Sequence, residues 1–313
     1  MSNPILVAHD PESADPGVVD FAGAAAELTG APVVLLVVRA GGSQDDRMSG
    51  GEMRDDGASD AGAGGPLLER LTAKDIAAEV RVVGDSSAAR GIAAAVDELT
   101  PRLVVVGSTG RGRLGRVLPG STAERVIHGA AAPVAVVPHG YELPAEGVRT
   151  IGAAFLPSPE GRAALRAAAD LARRTGGRVR AVMVLDPKHA DEGSGNRLAT
   201  IPQAQQPGDS GSGVGRLRAE DELDRAIAEL AEGVDVEPDV LFQPPVEGLE
   251  AASTTLDLLV MGSRAYGPMH AVMLGGVSRR VMASAACPVL VLPRGVESLA
   301  GAPAGSRPPG AAA

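Results

Sequence analysis

Three glycines, two hydroxyls and one carboxylate are the residues of this chain whose types and spacing can do chemistry. Gly107 and Gly110 bracket Ser108 and Thr109; nine residues then intervene before Gly120, Ser121 and Thr122. The pattern follows an apolar run, Leu103 to Val106, and opens a stretch of helical character. Glycines let backbone N–H groups approach an anion with no Cβ in the way. A helix N-terminus adds unpaired N–H donors and partial positive charge. The hydroxyls of Ser121 and Thr122 can add donors, and Arg111, Arg113 and Arg116 bring positive charge to the same loop. This is chemistry for holding phosphate. Glycine-rich turns after strands are also common in general, so the signal lies in the whole spacing with its Gly-Ser pair, not in one Gly-x-x-Gly.

Asp10 is the second candidate. It follows the first apolar run, Ile5 to Ala8. If that strand neighbours the one ending near Gly107, the two flank the crevice where chain order reverses, the usual ligand position of such sheets. A carboxylate there can bond ribose hydroxyls or an adenine amino group. It can equally be a turn or helix-cap aspartate, since Asp10-Pro11 also suits a turn. His9 beside it reads as structural. Neither lysine, Lys74 nor Lys188, is preceded by glycine, so the usual phosphate-loop lysine is missing. The histidines have no zinc-type spacing, and no general base is evident beside a nucleophile, so no catalytic or metal-ligating residue is assigned. Positioned phosphates without such a base favour binding over turnover. Cys287 precedes Pro288 and an apolar run and reads as a core residue.

The elements that must position these residues alternate between strand and helix. Strands are expected over 5–8, 32–38, 79–83, 103–106 and 134–137, with helices after the first strand, over 87–99 and over 121–129. Val18, Phe21, Ala22, Ala25 and Leu28 carry the helical period, and Gly30 is its stop signal. The pattern then repeats. Gly107 and Gly262, Gly120 and Gly275, Pro133 and Pro288 are all 155 residues apart, and 103–138 align with 258–293 without a gap. In the second copy, strands are expected over 151–155, 179–185, 236–242, 258–261 and 289–292, and helices over 161–175 and 217–231. Such alternation implies parallel strands with helices on both faces. Segments 41–65 and 187–214 and the tail after Pro293 hold little to bury and are expected to be disordered.

Together, the Gly-x-x-Gly, nine residues, Gly-Ser signature, the early Ile-Leu-Val-Ala-x-Asp strand and the closing Pro-Val-x-Val-Val-Pro resemble the universal stress protein family, over nearly the whole chain. The resemblance implies an α/β fold of two tandem doubly wound five-stranded parallel sheets, strand order 3-2-1-4-5. It implies domains over 1–139 and 150–294 and a disordered tail over 295–313. It further implies an ATP site, with Mg²⁺, in the first domain: Asp10 and the backbone near Val38 toward adenosine, Gly107 and Gly110 along ribose and phosphates, and Gly120, Ser121 and Thr122 on phosphate oxygens. The second copy departs from the pattern. Leu156 stands for Asp10, Ala265 for Gly110, Gly276 for Ser121, and the three loop arginines become Tyr266, Pro268 and Ala271. It is therefore expected to be a degenerate, largely structural copy. In this family the closing strands pair two domains, which implies a homodimer or an internal pseudo-dimer here.

Composition bounds the partners. The net charge of -10 argues against polymeric nucleic acid, and three Phe, two Tyr and no Trp argue against base stacking. No run approaches the ~20 apolar residues of a membrane span, no signal peptide is read, and a single cysteine fits a reducing cytoplasm. The expected function is a cytoplasmic stress-response protein whose bound ATP alters contacts with an unknown protein partner. A slow ATPase and a nucleotide-free interaction scaffold are the alternatives.

Overall fold

The computed structural model describes residues 3–9, 15–39, 61–108, 132–186, 212–263, 275–293 and 296. The first repeat runs β1 (Ile5–His9), α1 (Gly17–Thr29), β2 (Val33–Arg39), α2 (Ala61–Thr72), β3 (Ala78–Gly84), α3 (Ala88–Leu99), β4 (Leu103–Gly107) and β5 (Val134–Val137). The second runs β6 (Thr150–Ala154), α4 (Pro159–Thr175), β7 (Arg178–Leu185), α5 (Ser212–Leu230), β8 (Val236–Phe242), α6 (Pro245–Ser253), β9 (Leu258–Gly262), α7 (Gly276–Ser284) and β10 (Val289–Leu292). The expected helix over 121–129 lies outside the described residues. Its counterpart at the repeat offset is α7, whose N-cap is Gly275, the equivalent of Gly120.

Local chemistry accounts for these elements. The β2 sequence VVLLVVR is buried at five consecutive positions, as a strand covered on both faces must be. The Ser158 hydroxyl caps α4 by accepting from the Gly161 N–H (3.1 Å), Pro159 occupies the first turn, and Arg173 and Arg174 sit in the last turn, favourable to the helix dipole. Both α1 and α4 stop at a left-handed glycine, Gly30 (φ 64°) and Gly176 (φ 62°).

Two helices begin inside segments expected to be disordered. The first, α2, starts at Ala61 despite its glycines and Pro66. A Cβ on Gly64 would lie 3.2 Å from a methyl of Val80, so a small residue lets α2 lie close on β3. The other, α5, starts at Ser212. The remainder of those segments, and all of the tail except Val296, lie outside the described residues.

All ten strands form one sheet, in the order β3-β2-β1-β4-β5-β10-β9-β6-β7-β8. Within each repeat the order is 3-2-1-4-5 and every pairing is parallel. The repeats meet where β5 and β10 pair antiparallel, Val289 beside Val136, Leu290 beside Ala135 and Val291 beside Val134. Every residue of β5 and β10 is buried. One apolar layer lies under α1, α2, α4 and α5 and another under α3, α6 and α7; each draws residues from both repeats. No helix among the described residues is long and apolar enough to cross a membrane.

Cys287 lies just before β10 and is 2% exposed. Burial, reinforced by nearby Asp257, pushes its thiol up to about 12. Tyr141, whose hydroxyl donates to the Asp257 carbonyl at 3.4 Å, is raised too, again chiefly by burial and then by the Asp257 charge. Unfolding frees both groups to ionise at lower pH, so the stability tied to their protonated forms is complete below the unfolded pKa values and lost as pH rises through the folded ones. The urea midpoint should therefore hold steady near neutrality and fall from about pH 9 toward 12, with Cys287→Ala flattening part of the slope. Native protein at pH 8 should resist iodoacetamide while urea-unfolded protein is alkylated; equal labelling rates would contradict the buried thiol.

Candidate functional site

In the first repeat the chain order reverses at the carboxyl ends of β1 and β4. Strand β1 lies between β2 and β4, with Ala8 level with Val106 and His9 level with Val37. After β1 the chain crosses to α1 on one face of the sheet; it reaches β4 from α3 on the other. The connections of the two neighbouring strands thus lie on opposite faces, the arrangement that marks the usual ligand position of such sheets. Of the candidate residues, the structure brings Val38 and Gly107 to this rim. Val38 is half-buried near the end of β2 and Gly107 ends β4, so β1 separates them by two strand spacings, about 10 Å. Asp10, the next residue after β1, lies outside the described residues, as do Gly110, Gly120, Ser121 and Thr122.

Each rim residue is fixed by a close approach. A Cβ on Gly107 would stand 3.0 Å from a methyl of Val18 on α1, so glycine lets the first turns of that helix sit over the end of β4. On the other face, a Cβ on Gly91 would stand 2.8 Å from a methyl of Val38, so α3 packs directly on that valine.

Two polar residues that sequence reasoning missed tie this rim to the linker. Ser108 is 5% exposed. Its N–H donates to the Val137 carbonyl (2.9 Å) and its hydroxyl accepts from the His139 N–H (2.9 Å). Asp15 is 8% exposed and serves three groups: Oδ1 accepts from the Gly17 N–H at the start of α1 (3.1 Å), and Oδ2 accepts from the Gly140 N–H (3.0 Å) and lies 3.0 Å from His139 Nδ1. The glycine motif, the start of α1 and the beginning of the linker are thereby one hydrogen-bonded unit. The available signals were slight: an aspartate just before a helix, and a serine inside the Gly-x-x-Gly.

In the second repeat the described residues at the equivalent rim are closely packed. A Cβ on Gly262 would collide with the Glu160 carbonyl and Cβ, so the first turn of α4 presses against the end of β9. A Cβ on Gly161 would collide with the Leu156 backbone, because the β6–α4 connection folds tightly around Leu156, the residue standing for Asp10. Ser263, the equivalent of Ser108, donates its N–H to the Leu292 carbonyl (3.0 Å), and among the described residues its buried hydroxyl has no partner.

Comparison with known proteins agrees with this architecture. Residues 1–138 and 147–293 each match the model of the universal stress protein family. A universal stress protein of Mycobacterium tuberculosis is 28% identical over 222 residues, covering 66% of this chain and 69% of that protein. One of Mycolicibacterium smegmatis is 33% identical over 200 residues, 61% of each. The crystal structure of a universal stress protein from Archaeoglobus fulgidus superposes with a TM-score of 0.63 over 94% of this chain and 100% of that one, at 21% identity, a likeness of fold.

Asp15→Ala removes the acceptor that serves α1 and the linker together. It should lower unfolding stability by about 2 kcal/mol, and Ser108→Ala by about 1 kcal/mol, in urea titrations. An Asp15→Ala midpoint equal to wild type would show that the clasp holds nothing.

Proposed function

This chain belongs to the universal stress protein family, and on that premise we propose that its first repeat binds an adenine nucleotide, ATP with Mg²⁺, and acts as a nucleotide-dependent regulatory or interaction module in the cytoplasm. The observation that carries the proposal is the coincidence of the sequence motif with the β1–β4 switch point. Gly107 is the last residue of β4 and Asp10 the next residue after β1. The residues present fit such a ligand. Gly107 keeps the end of β4 clear of a side chain, and the β2 backbone near Val38 runs along the same rim, toward adenosine in this reading. In this reading Asp10 bonds the ribose or the adenine amino group, Gly107 and Gly110 line ribose and phosphates, and Gly120, Ser121 and Thr122 donate to phosphate oxygens.

The repeat symmetry supports the last assignment. The second-repeat helix α7 begins at Gly276, the equivalent of Ser121, and a helix start is where phosphate oxygens find N–H donors. Among the described residues no three His, Cys, Asp or Glu side chains gather as a metal cluster; Mg²⁺ would be held chiefly through the phosphates, as is usual for that ion. The second repeat is assigned a structural role, supported by the backbone pressed against Gly262 and by Leu156 in place of Asp10. Both edges of β5 and of β10 are already paired within the chain, so a protein partner is proposed to dock elsewhere than on the closing strands.

Protein denatured as purified should release adenine nucleotide detectable by mass spectrometry. Calorimetric titration of the emptied protein should give one ATP per chain. Asp10→Ala should weaken binding roughly 10- to 100-fold, Gly110→Val should abolish it, and Ala265→Gly in the second repeat should add no second site. Wild type that binds no ATP, or variants that bind as tightly as wild type, would overturn the assignment. Catalytic ADP release lost in Gly110→Val would instead favour the ATPase.

A further inference from the structure

Joining the repeats through β5 and β10 leaves the ten-stranded sheet with two edges, β3 at one end and β8 at the other. The ladders show which backbone groups face outward. At β3 the Ala77 carbonyl accepts from the Val33 N–H (2.8 Å), and the Asp85 N–H donates to the Arg39 carbonyl (3.1 Å). In the register between them, Glu79, Arg81 and Val83 turn their N–H and C=O groups to β2, and Ala78, Val80, Val82 and Gly84 turn theirs away from the sheet. Among the described residues no backbone pairs with those outward groups. The ladder of β8 is framed by the Val179 N–H on the Asp235 carbonyl (2.8 Å) and the Gln243 N–H on the Leu185 carbonyl (3.1 Å), so Pro238 turns outward inside that strand. Proline has no N–H to offer there, a common way of blunting a sheet edge. Of the two edges, β3 alone presents an uninterrupted row of donors and acceptors.

The side chains of this edge complement their own copy. Glu79 and Arg81 share the sheet face with Val83, on the side of α3, and Ala78, Val80 and Val82 lie on the side of α2. Glu79 is exposed and, among the described residues, forms no ion pair. Arg81 reaches Glu98 through Nη2 alone (2.6 Å), which leaves Nε and Nη1 for a second carboxylate. Two copies of β3 set antiparallel keep most of the strand overlapped when centred on Val80, Arg81 or Val82. Centring on Arg81 sets the guanidinium against its own copy, and centring on Val82 sets Glu79 against Asp85. Centring on Val80 sets Glu79 against Arg81 on both sides of the axis. Opposite charges facing across strands favour a register and like charges disfavour it, so the sequence selects Val80.

We propose that two copies of this chain associate through β3, antiparallel, with Val80 beside the partner's Val80. Ala78, Val80 and Val82 exchange backbone hydrogen bonds with the partner's Val82, Val80 and Ala78, and their side chains form an apolar row on the α2 side. Glu79 and Arg81 form two ion pairs with the partner's Arg81 and Glu79 on the α3 side. The contact is isologous, so it closes at two copies, and Pro238 on the far edge keeps the dimer from growing along the sheet. The contact uses none of the proposed nucleotide residues and does not depend on nucleotide binding.

In sedimentation of the full chain, monomer should give way to dimer, and to nothing larger, as concentration rises. Glu79→Arg sets like charges together on both sides of the axis and should weaken the dimer about tenfold. Arg81→Glu should do the same. An equimolar mixture of the two variants should recover wild-type affinity, because each reversed charge then meets its opposite. Val80→Pro removes a central outward N–H and should leave only monomer; should circular dichroism show that variant unfolded, the charge variants and their mixture decide. A wild-type chain still wholly monomeric at about 500 µM, charge variants that dimerise as tightly as wild type, or a mixture no tighter than its components would overturn the proposal. A folded Val80→Pro variant that keeps the dimer would overturn it too, marking another surface as the interface.

Discussion

The antiparallel pairing of β5 with β10 is the interaction on which the rest of the molecule depends. It spans only three residue pairs, yet it satisfies backbone groups that would otherwise lie along two fully apolar strand edges, where an unpaired N–H or C=O is costly. It also sets direction. Because the seam is antiparallel, the carboxyl ends of the two repeats point to opposite edges of one sheet. The two equivalent crevices therefore cannot merge, and each repeat was free to change its own rim. The apolar layers continue through the seam on both faces, so side-chain burial reinforces what the few hydrogen bonds begin.

The repeats share a topology, and in each a helix lies close over the end of the fourth strand: Val18 of α1 at Gly107 and the first turn of α4 at Gly262. The Asp15 clasp belongs to the first repeat: it joins the helix after β1 to the linker that leaves β5.

Much of this was legible in the sequence. Apolar runs placed all ten strands, because a strand covered on both faces has few alternatives to Val, Leu and Ile. The constant offset gave the duplication; the motif drew attention to Gly107 and the family resemblance to Val38, and both lie at the carboxyl ends of their strands. Helix starts were harder. Ala61 and Ser212 lie among Gly, Ala and Ser, residues with little helical periodicity to read. The Asp15 and Ser108 contacts were not readable at all: the groups they hold, His139 and Gly140, are remote in sequence, and only the fold brings them near. Nor could composition say whether the closing strands would pair within one chain or between two, since β5 and β10 look alike in either arrangement.

Joining the repeats covalently changes the law that governs their association. Two separate domains that meet edge to edge come apart on dilution; two domains on a short linker see each other at an effective concentration of order millimolar, whatever the concentration of the chain. The stretch from Pro138 to Arg149 between β5 and β6 is such a linker, and Asp15 and Ser108 restrain its first residues. The seam is consequently a unimolecular equilibrium. A rise or fall in the abundance of this protein leaves it unmoved, and a subunit carrying a different second half cannot be exchanged in.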